Sequence, residues 1–287
     1  MVLTRSQQKS QGSRPKSHRE PQVGDKRSHS KALETKATGQ DEQQKKTEHK
    51  SQKKTATKIS GDSSKLDGNQ KMPRGVKQII EKLIQEYGDL PLHDTILEQP
   101  DKAMPETVLA LLLNAILSAT RISHHLASKT TDLVIKAEYH KIHVLKKSTW
   151  EDRTDVLTEG GYTHYRERTA AMMGELADTI EEEYDGDLNT ILQRTSEDPK
   201  QIRSQLKTIK GVGDVGVDIF FDTAQHVWPC LAPFVDPRSL KTAENIGLGN
   251  DVQVLWEEVG RKPELMCRLA CALMRVRLER REAEFRI

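Results

Sequence analysis

Residues 206–222 read LKTIKGVGDVGVDIFFD and place three glycines within six positions, between two apolar segments. Both flanking segments repeat apolar residues at helical spacing, so the glycines mark a tight connection between two helices. A connection this short requires backbone at positive φ, which glycine adopts at little cost. Val212, between the first two glycines, is expected to anchor the turn in the core. The stretch therefore predicts a helical hairpin with bare backbone at its tip.

The tip of such a hairpin is suited to an anion. The second helix begins there with unpaired N–H groups and the positive end of its dipole, and the glycines let a ligand approach the backbone. Main-chain donors of this kind bind a phosphate without reading nucleic-acid sequence. A helical hairpin with no ligand has the same pattern, and both interpretations stay open. The candidate contacts are Lys210, Gly211, Val212, Gly213, Val215 and Gly216.

From Pro73 onward the apolar residues repeat at helical spacing almost everywhere. The segment PETVLALLLNAILSAT, residues 105–120, is apolar on most sides and predicts a central buried helix that begins at Pro105. Ser148 and Glu151 have the spacing of a capping box and predict the start of another helix. No segment has a convincing strand pattern. The sequence therefore predicts an all-α domain of about ten helices with short connections.

The first 73 residues differ from the rest in composition. They are rich in Ser, Gln, Lys and Thr, and every aromatic residue of the chain lies at or after Tyr87, so they cannot bury enough apolar surface to offset the entropy of ordering. Through residue 75 the chain carries 18 Lys and Arg against 8 Asp and Glu, a net charge of +10, whereas the remainder carries −8. We expect a disordered basic tail at 1–73, followed by an acidic folded part.

A basic, flexible tail suits a polyanionic partner, because mobile Lys and Arg side chains neutralise phosphates and release counterions. We expect it to add non-specific nucleic-acid contacts, although a solubilising or targeting tail has the same composition. No stretch is apolar enough to span a bilayer, and the N-terminal residues lack the apolar segment of a secretory signal. The expectation is a soluble, intracellular monomer that makes no membrane contact.

Neither cysteines nor histidines form a metal-binding pattern. Cys230, Cys267 and Cys271 fit a reducing compartment, and their spacing matches no zinc or iron–sulfur motif. His140 and His143 could share a helix face, but no carboxylate or cysteine is spaced to join them. We therefore expect no metal and no cofactor.

Several segments together carry a resemblance to a known family. The hairpin is followed by PFVDPRSLKTAENIGL at 233–248, and it is preceded by NAILSAT at 114–120 and GGYTHYRERTAAMM at 160–173. In this order and spacing they resemble the helix-hairpin-helix DNA glycosylases, the endonuclease III-like superfamily (HhH-GPD). The likeness covers most of residues 105–280. It implies a two-lobed helical fold, with 105–231 as the lobe that contains the hairpin and with 74–104 plus 232–287 as the second lobe.

The resemblance also implies a function and its residues. The hairpin would grip the backbone of double-stranded DNA, and Asp236 would be the catalytic carboxylate that orients a water and stabilises the sugar cation as a damaged base leaves. Thr120 and Arg121 would fill the gap left in the duplex by the flipped nucleotide. Tyr162 would line the base pocket. The protein would act in DNA base-excision repair, in the nucleus if the source is eukaryotic and in the cytoplasm otherwise.

Two departures from the family pattern limit the chemistry. Val215 stands where lyase-type members have a nucleophilic lysine, so amine-driven strand cleavage is not expected. The chain ends without the four cysteines of the family's iron–sulfur loop, so no such cluster is expected. The implied activity is monofunctional hydrolysis of the N-glycosidic bond.

Other interpretations of the same residues remain. An Asp-Pro pair is a common helix start, so Asp236 could be only an N-cap, although the two roles are compatible. The chain could also be a non-catalytic DNA-binding relative that has lost glycosylase activity. A third possibility is that the hairpin contacts protein and that the domain is a scaffold.

Overall fold

The computed structural model describes residues 74–286 as a helical domain. Over that range it contains twelve α-helices, two short 3-10 helices and no strand, which confirms the all-α prediction. The basic tail predicted at 1–73 lies outside the described residues. The α-helices are α1 (Arg74–Tyr87), α2 (Pro105–Ser118), α3 (His124–Lys136), α4 (Ile142–Lys147), α5 (Trp150–Glu159), α6 (Arg166–Tyr184), α7 (Thr190–Arg194), α8 (Pro199–Leu206), α9 (Asp214–Ala224), α10 (Pro237–Asn245), α11 (Val252–Glu258) and α12 (Pro263–Leu278).

Local sequence sets most helix starts. Pro105 occupies the first turn of α2, where its missing N–H costs nothing, and most of the helix is buried, as predicted. The capping box of α5 is formed by Thr149 and Asp152, so the prediction of Ser148 and Glu151 is wrong by one residue. Ser148 is already used at the end of α4, where its N–H and Oγ donate to carbonyl oxygens of the last turn.

The buried apolar side chains form two main clusters. The first draws on α2 to α9 and includes Leu111, Leu112 and Leu113 of the central helix α2. The second draws on α1 together with α10, α11 and α12. Helix α9 packs against both α2 and α12, which belong to different clusters. The proposed boundaries of two lobes stay a prediction.

Helix α9 is held firmly along its length. Phe220 is fully buried and packs edge-on against the ring of Trp228, with 5.2 Å between ring centroids. The Trp228 indole N–H donates to Asn189 Oδ1 at 2.8 Å, so the buried ring leaves no unpaired donor. Because α9 is fixed in this way, it also fixes the glycine hairpin at its start and the contacts made near its end.

Within residues 74–286 no helix combines the length and the apolar character needed to cross a membrane. In the same part of the chain, no three His, Cys, Asp or Glu side chains come together in an arrangement that could hold a metal ion. The three cysteines carry free thiols.

Candidate nucleic-acid interface

The hairpin connects α8 to α9, and its two central glycines have different backbone conformations. Gly211 has φ +88°, and a Cβ built there would lie 2.5 Å from Met172 Cε. Gly213 has φ −95° and ψ −176°, which is ordinary extended backbone, and it is the N-cap of α9. The expectation of positive φ is therefore right for Gly211 and wrong for Gly213. One left-handed residue completes the turn, and the next glycine only begins the helix.

The other hairpin residues divide between core and surface. Val212 is buried in the first cluster, as expected for an anchor. Gly216 is also buried, and a Cβ there would sit 3.7 Å from Val212 and 3.9 Å from Ala119. Val215 is 41% exposed. The exposed tip therefore consists of the backbone at Gly211 and Gly213 and the side chains of Lys210, Asp214 and Val215.

Ion pairs surround the tip. Lys210 Nζ lies 2.6 Å from a Glu175 carboxylate oxygen, and Lys207 Nζ lies 2.7 Å from Asp214 Oδ1. The hydrogen bond and the charge of Lys207 hold the pKa of Asp214 below its usual value, so this first residue of α9 is anionic. A phosphate at the helix start must compete with Asp214, while the two exposed lysines can exchange their partners for it.

A cavity of about 580 Å³ opens between the hairpin, the end of α2 and the start of α6. We call it the hairpin cavity. Thr120 is fixed at its edge, because its hydroxyl donates to the Leu117 carbonyl at 2.9 Å and accepts from the Tyr162 hydroxyl at 3.1 Å. Its lining includes Thr120, Arg121, Arg168, Gly211, Gly213, Val215 and Gly216, which brings most of the sequence-predicted contacts together.

Tyr162 does not have the exposed face that base stacking requires. Its ring is 1% exposed and belongs to the first cluster, so the assignment to a base pocket is wrong. Its hydroxyl instead links Thr120 to Thr169. Tyr165, three residues later in the same segment, lines the hairpin cavity together with Arg168. The sequence analysis named neither residue. Their spacing of one helical turn, which places Tyr165 and Arg168 on the same face, is the signal that could have identified them.

Asp236 caps α10, as its Asp-Pro context predicts. Its Oδ1 accepts the Arg238 N–H at 2.9 Å and its Oδ2 accepts the Ser239 N–H at 3.3 Å, and the residue is 3% exposed. Helix α9 holds it from the other side. Asp222 Oδ1 accepts the Asp236 N–H at 2.9 Å. At the C-cap of α9, the Gln225 side-chain amide accepts the Phe234 N–H and donates to the Phe234 carbonyl.

The surroundings of Asp236 keep it charged. Burial alone would raise its pKa, but hydrogen bonds from Ser239 and Arg238 and the charge of Arg277 outweigh burial and hold the pKa below the usual value. Arg238 Nε lies 3.5 Å from Oδ1 and an Arg277 Nη lies 3.8 Å from Oδ2. Asp236 is therefore an anion with two cationic neighbours at neutral pH.

Asp222 has the opposite character. It is fully buried, and burial, followed by the negative charge of Asp236, raises its pKa well above the usual range. It is therefore a neutral acid whose Oδ1 accepts a backbone N–H. Neighbouring carboxyl groups of which one is protonated and the other ionised are typical of sites that transfer protons.

Unpaired buried polar atoms gather around the same aspartate. Among the described residues, four buried side-chain polar atoms have no hydrogen-bond partner, and three of them belong to residues that contact Asp236. These atoms are Asp222 Oδ2, Ser239 Oγ and Arg277 Nε. Such atoms are costly in a folded protein unless a water or a ligand pairs with them.

A second cavity, of about 420 Å³, lies next to these groups. We call it the arginine cavity, because Arg121, Arg238 and Arg277 line it. Asp236 does not itself line the cavity, but two of the three arginines pair with it. Thr120, Arg121 and Val215 line the hairpin cavity as well, so the two cavities adjoin.

No protein-family model matches the chain, and no curated protein matches it significantly. The resemblance to helix-hairpin-helix glycosylases therefore rests on the residues of this chain alone and stays a prediction.

The hairpin glycines provide a matched pair for a stability test. We expect Gly211→Ser to lower the free energy of unfolding by about 1–2 kcal/mol, because a side chain is strained at positive φ. Gly213→Ser should leave stability unchanged or raise it by up to about 1 kcal/mol, because serine is a preferred N-cap and the space is open. Urea denaturation of both variants makes the comparison. Equal losses would contradict the assigned conformations.

The neutral state of Asp222 predicts how stability depends on pH. A raised folded-state pKa means that the folded protein keeps a proton that the unfolded chain releases, so stability falls as pH rises above about 4, until Asp222 ionises in the folded state. In Asp222→Asn this group cannot ionise. The variant should gain stability relative to the parent, by at most about 1.4 kcal/mol per pH unit within that window.

Urea denaturation at a series of pH values measures this gain. Asp218→Asn is the control, because Asp218 lies one turn earlier on α9 and pairs with Arg203 at 2.8 Å. A difference between Asp222→Asn and the parent that does not change with pH would contradict a neutral Asp222.

Proposed function

We propose that this chain binds duplex DNA through its glycine hairpin and hydrolyses the N-glycosidic bond of a flipped, damaged base, with Asp236 as the catalytic carboxylate. The observation that carries the proposal is the sharing of Thr120, Arg121 and Val215 between the two cavities. A strand held at the hairpin therefore passes beside the cavity whose arginines pair with Asp236. This arrangement supports a base-excision role better than backbone binding alone.

Each part of the site has a defined task in this proposal. The N–H groups at Gly211 and Gly213 bind a backbone phosphate, and Lys207 and Lys210 leave their carboxylate partners to join it. Thr120 and Arg121, at the end of α2, fill the space left in the duplex. The basic tail adds contacts that do not depend on sequence.

The chemical step uses Asp236 and water. The bond between the sugar and the base breaks, the electron pair leaves with the base, and the anionic Asp236 stabilises the positive charge that develops on the sugar. A water oriented by Asp236 adds its oxygen to the sugar carbon, and the proton that this water loses passes through the carboxylate to the departed base, which is released neutral. Val215 supplies no amine, so the product is an abasic site in an intact strand. The proposal requires no cofactor. It implies that the protein acts in the nucleus if the source is eukaryotic and in the cytoplasm otherwise.

A non-catalytic DNA-binding protein is the second candidate. It is favoured by the 3% exposure of Asp236, whose two oxygens already accept backbone N–H groups. In that case Asp236 only caps α10, and the hairpin with the tail accounts for the whole function.

A charged side chain introduced at Gly213 tests DNA binding at the hairpin, because a Cβ built at this position meets open space. We expect Gly213→Glu to weaken binding to an undamaged duplex about fivefold more than the uncharged control Gly213→Gln, because the carboxylate repels a phosphate at the start of α9. The difference should shrink as salt rises. Fluorescence anisotropy at 50 and 200 mM salt measures it. Equal affinity of both variants and the parent would show that no phosphate binds there.

Catalysis is tested by release of bases from duplexes that contain uracil, hypoxanthine, an alkylated purine, an oxidised pyrimidine or oxidised guanine. We expect strand breaks only after hot alkali, since hydrolysis leaves an abasic site. Asp236→Asn keeps a good N-cap but removes the charge, and release should fall at least about 100-fold.

The matched control for that loss is Asp251→Asn. Asp251 caps α11 in the same way, by accepting the Gln253 N–H, and it lines neither cavity. Normal release by this variant would exclude a general effect of cap substitution. Binding without release from any duplex would favour the non-catalytic candidate.

A further inference from the structure

The arginine cavity carries an excess of positive charge. Arg121, Arg238 and Arg277 line it, and within the described residues no Asp or Glu side chain does. Asp236, which pairs with Arg238 and Arg277, balances only one of the three guanidinium groups. A cation that enters the cavity therefore meets a net positive field close to a low-dielectric wall.

The polar groups of the cavity are mainly hydrogen-bond donors. Arg277 contributes its guanidinium group, of which one Nη lies 3.8 Å from Asp236 Oδ2. Asn114 uses Oδ1 to accept from the Ser118 and Thr131 hydroxyls, so the group it has left is its amide NH₂. His124 adds no charge at neutral pH, because burial and then the charge of Arg275 lower its pKa. A ligand here must supply acceptors.

Apart from the hydroxyl groups of Ser118 and Thr120, the rest of the lining is aliphatic. Ile219, Met274 and Leu278 are among these side chains, and within residues 74–286 no Phe, Tyr or Trp lines the cavity. Proteins hold cationic ligands with carboxylates or with the faces of aromatic rings. Neither feature occurs in this lining, so charge and shape both disfavour a positively charged base.

On the premise of the proposed function, we propose that the arginine cavity receives a flipped base that presents ring carbonyl oxygens and is neutral or anionic, of the uracil and oxidised-base class. Guanidinium groups donate to such oxygens in a planar, paired geometry, as they do to the O6 edge of guanine. A volume of about 420 Å³ is within the usual range of small-molecule sites. Alkylated bases that carry a positive charge are rejected.

The test separates binding from hydrolysis. Otherwise identical duplexes carry one 2′-fluoro nucleotide, which resists cleavage of the glycosidic bond, with uracil, 5-hydroxyuracil, 8-oxoguanine, cationic 7-methylguanine or an ordinary base. The full chain, Arg277→Met and Arg277→Lys are titrated into each duplex. Base release from the matching 2′-deoxy duplexes is measured in parallel.

We expect the parent to bind at least one carbonyl-bearing lesion about tenfold more tightly than the 7-methylguanine duplex. Arg277→Met should remove most of that preference, and Arg277→Lys should restore part of it, because lysine keeps the charge but loses the planar pair of donors. Arg261→Met is the control. It removes one positive charge from an exposed arginine that lines neither cavity, and it should keep the full preference.

Arg277 is partly buried beside Asp236, so its replacement can disturb folding. Arg238→Met is the second variant, because Arg238 is exposed, lines the same cavity and is assigned no contact with the duplex. It should reduce the preference for carbonyl-bearing bases with thermal unfolding unchanged.

The outcomes separate this inference from the proposed function. Tighter binding or faster release of 7-methylguanine would overturn the substrate class while base excision stands. Equal weakening of every duplex, damaged or not, by the Arg277 and Arg238 variants would overturn it as well, since the arginines would then contact backbone phosphate. If the parent prefers carbonyl-bearing lesions in binding but releases no base from any 2′-deoxy duplex, the cavity assignment is supported and only the proposed hydrolysis is overturned.

Discussion

The hydrogen bond from the Asp236 N–H to Asp222 Oδ1 is the contact on which the arrangement of the site depends. It joins the end of α9 to the start of α10, so the helix that begins at the glycine hairpin also fixes the carboxylate proposed for catalysis. Gln225 strengthens the junction with two hydrogen bonds to Phe234. Since α9 is buried against α2 and α12, neither end of it can shift without disturbing the core.

The same junction sets the electrostatics. A second ionised carboxylate beside Asp236 would repel it, and burial makes Asp222 hold its proton instead. Asp236 can then remain anionic, stabilised by backbone N–H groups and by Arg277. The arginines have two effects, because they balance Asp236 and also give the adjoining cavity its positive character. In the proposed function, Asp236 would stabilise a developing positive charge at the sugar, and the arginines would disfavour a positive charge on the base.

The hairpin combines attraction and competition. Its bare backbone and the start of α9 are the proposed phosphate site, whereas Asp214 occupies the same helix terminus with a negative charge. The two lysines at the tip are paired in the free protein, so binding exchanges one set of ion pairs for another. For the proposed DNA complex, such an exchange predicts modest affinity that depends on salt.

The sequence by itself determined the all-helical fold, the hairpin at 211–213, the burial of α2 and the N-cap role of Asp236, because each follows from local spacing, capping chemistry or apolar content. It placed the capping box of α5 one residue too early and assigned positive φ to Gly213. In both cases neighbouring residues of similar type could take the role, and only the packed turn selects one of them. Tertiary structure alone buried Tyr162, paired Asp222 with Asp236 and brought three arginines from separate segments to one cavity, because these contacts depend on how distant helices pack.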